Sequence, residues 1–168
     1  MQLDLNFVDE TELTDGERTT IGALLPEAWE ERYPGARTRA WTQHAPMYRL
    51  VAQLDGVVVA NQSVFDLSVD SPVFGLGDLA VHPDHQHVGI AREMVTLTVA
   101  DLRERTDAVI LTSAHRDHVR RLFTQLGFHA VADDALAFLE PVLDANRHDW
   151  LASVELTPTA PLQIRGTC

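Results

Sequence analysis

The chain has 168 residues, 45% of them hydrophobic and 23% charged, which suits one ordinary globular domain spanning 1–168. A formal net charge of −12 argues against nucleic acid, whose phosphates reward Lys and Arg. It favours either plain solubility or the steering of a cationic small molecule. The lone cysteine, Cys168, no apolar run near the ~20 residues of a membrane span, and the acidic start MQLDLNFVDE lead us to expect a cytoplasmic protein without a membrane partner.

Residues 2–8 alternate and predict a strand. Thr14-Asp15-Gly16-Glu17 has the form of a capping box. The helix after it should turn Ile21, Leu24 and Leu25 to one side. Pro26 then breaks the helix or opens a second short one to about Tyr33, and 34–46 reads as an ordered loop. Residues 47–54 and 57–69 are β-rich around Asp55-Gly56, a hairpin signal. After the turn Asp70-Ser71-Pro72 comes a third strand, 73–81, whose Gly75 and Gly77 suggest a bulge or a close backbone approach. Residues 89–105 predict a helix with Ile90, Met94 and Leu97 as a stripe, widened by Ala91, Val95 and Leu102. Residues 108–113 are a buried strand. A helix near 115–126 carries Val119, Leu122, Phe123 and Leu126 on one side and stops at Gly127. Strands are expected at 128–131 and 135–141, with 151–157 a weaker candidate. The fold class is α/β (α+β), a mixed, mostly antiparallel sheet of about six or seven strands with helices on both faces.

Between the third strand and its helix stands HPDHQHVGIA, residues 82–91. A helix N-terminus presents N–H groups without helical partners and the positive end of the dipole. Glycine at 89 permits close approach to the backbone. The spacing Gln86-x-x-Gly89-x-Ala91 therefore suits a pyrophosphate held by main-chain amides. The histidines invite a metal reading through His82-x-x-His85 and His85-x-His87, with His115 and His118 downstream. That spacing matches no established ligand pattern, so no metal is expected.

The stretch DLAVHPDHQHVGIA resembles motif A of the GNAT-type N-acetyltransferases, and RDHVRRLFTQLGF at 116–128 resembles their next helix. This resemblance implies the GNAT fold, with the sheet splayed between strands 73–81 and 108–113. It implies acetyl-CoA as acyl donor, its pyrophosphate on the amides of Gln86, His87, Val88, Gly89, Ile90, Ala91 and Arg92. Its pantetheine arm would pair with the backbone of Leu79, Ala80 and Val81, and Arg116 could reach a phosphate. The implied reaction is direct transfer to an amine. Asp78 is the first candidate for the base, against a plainer role as a hydrogen-bonded strand carboxylate, and His82 and His115 come next. Phe123 stands where the family often carries a tyrosine acid. Ser113, His118 or water would have to substitute.

On the acceptor side Trp29, Tyr33, Trp41, His44 and Tyr48 crowd together with Glu27, Glu30 and Glu31. They form either a mouth for a cationic amine or a core anchor with a solvated face. Trp41, Glu30 and Ser113 are the substrate-side candidates. The expected activity is acetylation of a small cationic amine, aminoglycoside-like or polyamine-like. Acetylation of a protein amine and a silent CoA-binding module remain alternatives, and a homodimer is left open.

Overall fold

The computed structural model describes residues 2–29, 46–68, 72–106, 108–113, 117–130 and 154–156. Two compact units emerge from the contacts: Met1–Phe65 with Leu76–Val99, and Asp66–Gly75 with Ala100–Cys168.

The first unit begins with strand β1, Leu3–Asp9, which pairs antiparallel with β2, Tyr48–Leu54, from Leu3↔Leu54 to Asp9↔Tyr48. Helix α1, Asp15–Trp29, starts at the expected capping box. The Glu17 N–H donates to Thr14 Oγ1 at 3.2 Å, and the Thr14 N–H donates back to Glu17 Oε2 at 3.0 Å. Each donor would otherwise face the helix end unpartnered. Ile21 and Leu24 are buried; the Leu25 side chain lies outside the described residues.

Pro26 does not break α1, which runs on to Trp29. A proline at this position forfeits the bond to the Gly22 carbonyl and crowds that carbonyl, yet the helix continues. The turns before it are held by Ile21, which packs with Leu13, Val51 and Val58. Tyr33 and the loop 34–45 lie outside the described residues.

Asp55 and Gly56 both have positive φ, 49° and 83°, as a two-residue hairpin of the favoured hand requires. They lead into β3, Val57–Asp66, which pairs antiparallel with β2 and carries a bulge opposite Ala52/Gln53. Strand β4 spans Val73–Val81. The His82 N–H donates to the Val59 carbonyl at one end, and the Leu67 N–H to the Val73 carbonyl at the other. These two bonds give β3 and β4 opposite directions. Helix α2, Ile90–Arg105, buries Ile90 and Met94 against Leu50, Ala52, Ala60 and Val81. Leu97, expected in that stripe, is 38% exposed, while Thr98 is fully buried. The buried arc is centred on Thr98, whose hydroxyl donates to Gln62 Oε1 at 3.0 Å, and Leu97 falls on its rim.

In the second unit β5, Val109–Ser113, pairs antiparallel with the short β7, Val154–Leu156, which in turn pairs with β6, His129–Ala130. The candidate strand 135–141 lies outside the described residues. Helix α3, Asp117–Gln125, ends at Gly127, whose φ of 87° lets the Phe128 N–H reach back to the Phe123 carbonyl at 3.0 Å. None of the described helices is long and apolar enough to cross a membrane.

Candidate active site

The candidate site is built on β4 and on the turn that joins it to α2. Strand β4 loses its regular geometry at one residue. Asp78 has φ 51°, the left-handed region that non-glycine residues seldom enter and that Asp tolerates better than most. The irregularity expected from Gly75 and Gly77 therefore falls one residue later. What holds it is visible: the Asn61 amide donates to the Asp78 carbonyl at 3.1 Å, and the Ser63 hydroxyl donates to Asp78 Oδ2 at 2.8 Å.

These bonds belong to a polar network enclosed on the α1 side of the sheet. Arg49, the second residue of β2, has no exposed surface. Its Nη1 donates to Ser63 Oγ at 2.7 Å and to Asn61 Oδ1 at 3.4 Å, and lies 3.7 Å from Asp78 Oδ2. Its Nε donates to Glu10 Oε2 at 2.6 Å. Arg18, on α1, completes the cluster through Glu10 Oε1 at 2.6 Å and through the Glu10 carbonyl. A guanidinium this deep is tolerable only when its charge is matched and its donors are used. Two arginines against Glu10 and Asp78 meet the first requirement.

Burial pushes the Asp78 carboxyl above its ordinary value, while the Ser63 hydroxyl and the Arg49 charge oppose the rise. The balance leaves a carboxylate more basic than a free aspartate, as a proton acceptor requires.

The turn after β4 is ordered by its own bonds. His82 Nδ1 accepts from the Asp84 N–H at 3.3 Å, so a neutral His82 carries its proton on Nε2. A single 3-10 turn, Pro83–His85, follows. Gln86 uses its own N–H on the Pro83 carbonyl at 3.3 Å. Its side-chain amide donates to the Val81 carbonyl at 3.0 Å, so Gln86 ties the turn to the strand. The chain then rises through His87, φ 65°, and Gly89, φ 98°. His87, Val88 and Gly89 are exposed, with Val88 at 73%.

Ile90 anchors the helix start in the core, Ala91 packs beside it, and Arg92 is exposed. The Glu93 N–H makes the first helical bond, to the Gly89 carbonyl. The amides of Ile90, Ala91 and Arg92 thus precede any intrahelical partner. A Cβ placed on Gly89 would meet no atom within 4 Å. Open space, a glycine and a helix N-terminus coincide here, and that arrangement fits a pyrophosphate.

Of the other expected site residues, Ala80 and Val81 are buried and Leu79 half-buried on β4. Ser113 closes β5, its side chain outside the described residues. His115, Arg116, Trp41 and Glu30 lie outside them as well. His118 is exposed on α3. Phe123 is 2% exposed, its ring edge-on to Phe128 at 5.0 Å, so it packs as core. No group of His, Cys, Asp and Glu that could hold a metal occurs among the described residues.

Arg49, Asn61, Ser63 and Glu10 were not among the candidates read from the sequence. The signal that could have found them is a polar interruption of apolar strands, Arg in YRLVAQL and Asn-Gln-Ser in VVVANQSVF.

Comparisons with known proteins bear on the fold and the family. The comparison with curated protein sequences finds no match. Among solved structures the fold is shared with an acyl-CoA N-acyltransferase from Pseudomonas aeruginosa, at 20% identity and TM-score 0.67, covering 79% of this chain and 92% of that one. Escherichia coli ElaA gives 10% identity and TM-score 0.69, covering 92% and 97%. An aminoglycoside acetyltransferase from an uncultured soil metagenomic sample gives 22% identity and TM-score 0.58, covering 76% and 91%. The sequence model of the Acetyltransferase (GNAT) family matches residues 18–128, a span that includes Arg49, Asn61, Ser63 and Asp78, the turn and the start of α2 but not Glu10, and the chain belongs to that family.

Proposed function

We propose that the chain is an acyl-CoA-dependent N-acetyltransferase acting on a primary amine of a small cationic molecule, aminoglycoside-like or polyamine-like. The observation that carries this reading is the turn from Val81 to Arg92, where Gly89, at positive φ with open space beside it, directly precedes the first amides of α2. A pyrophosphate there would take main-chain donors from the 88–91 segment and the favourable end of the helix dipole. The backbone of Leu79–Val81 leads straight into this cradle and would hold the extended arm of the donor. Bound acetyl-CoA supplies the acyl group as a thioester.

The residues of the chain then handle the proton. Asp78 would take it from the amine. Each hydrogen bond that its carboxylate accepts from the described residues lands on Oδ2, so Oδ1 is the receiving atom. His82, with Nδ1 engaged, would act as a donor through Nε2 rather than as a base. The net charge of −12 favours approach of a cation, and the likeness to an aminoglycoside acetyltransferase points the same way.

A second reading has its own observation. Phe123 is buried against Phe128 and has no proton to give a leaving thiolate. This favours a CoA-binding module without turnover.

Calorimetric titration of acetyl-CoA, followed by assay of thiol release over aminoglycosides, polyamines and peptides, decides between them. Release with small cations supports the first reading. Binding without release from any acceptor supports the second. No binding overturns both.

A further inference from the structure

We propose that Arg49 is a positioning residue for Asp78, fixing through Ser63 and Asn61 the carboxylate that receives the amine proton and keeping it charged. The inference rests on the reading of Asp78 as the base.

Arg49 and Ser63 are direct cross-strand partners. The guanidinium is a pure donor and keeps its protons. Its Nη1 donates to Ser63 Oγ at 2.7 Å, so the single hydroxyl proton of Ser63 cannot point back toward Arg49. It points to Asp78 Oδ2, 2.8 Å away. The chain of donation runs one way, Arg49 to Ser63 to Asp78, and ends on one carboxylate oxygen. A proton accepted by Asp78 cannot leave through Ser63, because Arg49 has no lone pair to take the next one. It must arrive and depart at Oδ1.

The same Nη1 also reaches Asn61 Oδ1 at 3.4 Å. That contact orients the Asn61 amide, which donates to the Asp78 carbonyl at 3.1 Å. Arg49 thus holds both intermediaries, one on the carboxylate and one on the main chain at φ 51°. Among the described residues, the charged groups facing Asp78 are Arg49 from β2 and Glu10 from the turn after β1, with Arg18 of α1 behind Glu10. Glu10 opposes Arg49, both by its own charge and by drawing the guanidinium toward itself.

The test follows the Asp78 carboxyl carbon by 13C NMR across pH in the full chain, with the signal assigned by Asp78→Asn. Removing an opposite charge or a donor at these distances should raise the titration midpoint by about one pH unit or more. Arg49→Met and Ser63→Ala should both do so, and Ser63→Ala keeps the test open if Arg49→Met does not fold. Glu10→Gln should move the midpoint the other way. The acidic limb of kcat/KM should shift with the midpoint, which a merely structural arginine would not cause. An unmoved midpoint in Ser63→Ala overturns the proposal. If the midpoints shift but Asp78→Asn retains full thiol release, the base reading fails and the positioning of Asp78 stands.

Discussion

Replacing Gly89 by alanine should separate binding from folding. Gly89 has φ 98°, where an L-residue costs about 1–2 kcal/mol. Its added Cβ meets no atom within 4 Å, so no clash adds to that cost. For a chain of this size the melting temperature should fall by roughly 2–8 °C. The same Cβ would occupy open space at the residue that precedes α2, where the proposed cradle would receive a phosphate. Losing one charge-assisted bond to a phosphate costs about 1.5–3 kcal/mol, which is roughly 10- to 150-fold in Kd. Gly89→Glu should lower affinity further through like charge with a similar melting point. Titration calorimetry with CoA and differential scanning calorimetry on the same samples read both effects. A Gly89→Ala protein that melts lower by the expected amount yet binds CoA with unchanged Kd would refute the assignment of the cradle.

Three further substitutions have expected outcomes. Asp78→Asn should lower kcat/KM by about 10²–10⁴-fold with CoA affinity intact. Because burial raises the Asp78 carboxyl, its contribution to stability is complete below the ordinary value of 3.8 and is lost as pH rises through the folded value. Denaturant midpoints of Asp78→Asn should therefore fall less steeply with rising pH above that value, and parallel curves would contradict this. Thr14→Ala should cost about 1 kcal/mol. The Thr14 N–H and hydroxyl hold Glu17 below its ordinary 4.5, so the capping contribution is present above that value and shrinks as pH falls through the folded one; a difference between variant and wild type that is constant in acid counts against the box. Phe123→Tyr should destabilise by about 1–3 kcal/mol through overpacking without speeding thiol release. Faster release would show that the side chain lines the site after all.

The order of elements was legible because hydrophobic period, capping box and hairpin turn agreed with one another. Thr14 with Glu17, Asp55-Gly56 and Gly127 each required a local conformation that the chain adopts. Pro26 misled because it removes one bond while packing at Ile21 keeps the preceding turns in place. Leu97 misled because the buried arc of α2 centres on a threonine, and hydroxyls are discounted when a stripe is read. The shape of the turn was anticipated at Gly89, which takes positive φ, but the part Gln86 plays in it was not. Gln86 serves through its side chain, which depends on where the Val81 carbonyl lies. The Asp78 network was hidden for a further reason. Its members come from the turn after β1, from α1, and from β2, β3 and β4, and nothing in a linear pattern brings Arg49 within 3.7 Å of Asp78.

The bond between Thr98 and Gln62 has a consequence for the distant end of its helix. Most contacts of α2 with the sheet are apolar, and apolar surfaces tolerate sliding. A buried hydroxyl facing a buried amide does not, because displacement along the axis by one residue, about 1.5 Å, would cost Gln62 Oε1 the bond it accepts in a dry core, while the Thr98 hydroxyl fell back on the Met94 carbonyl of its own helix, 2.9 Å away. Thr98 therefore works as a detent. It fixes the axial setting of α2, and with it the height of the amides about two turns earlier, where the proposed phosphate cradle lies.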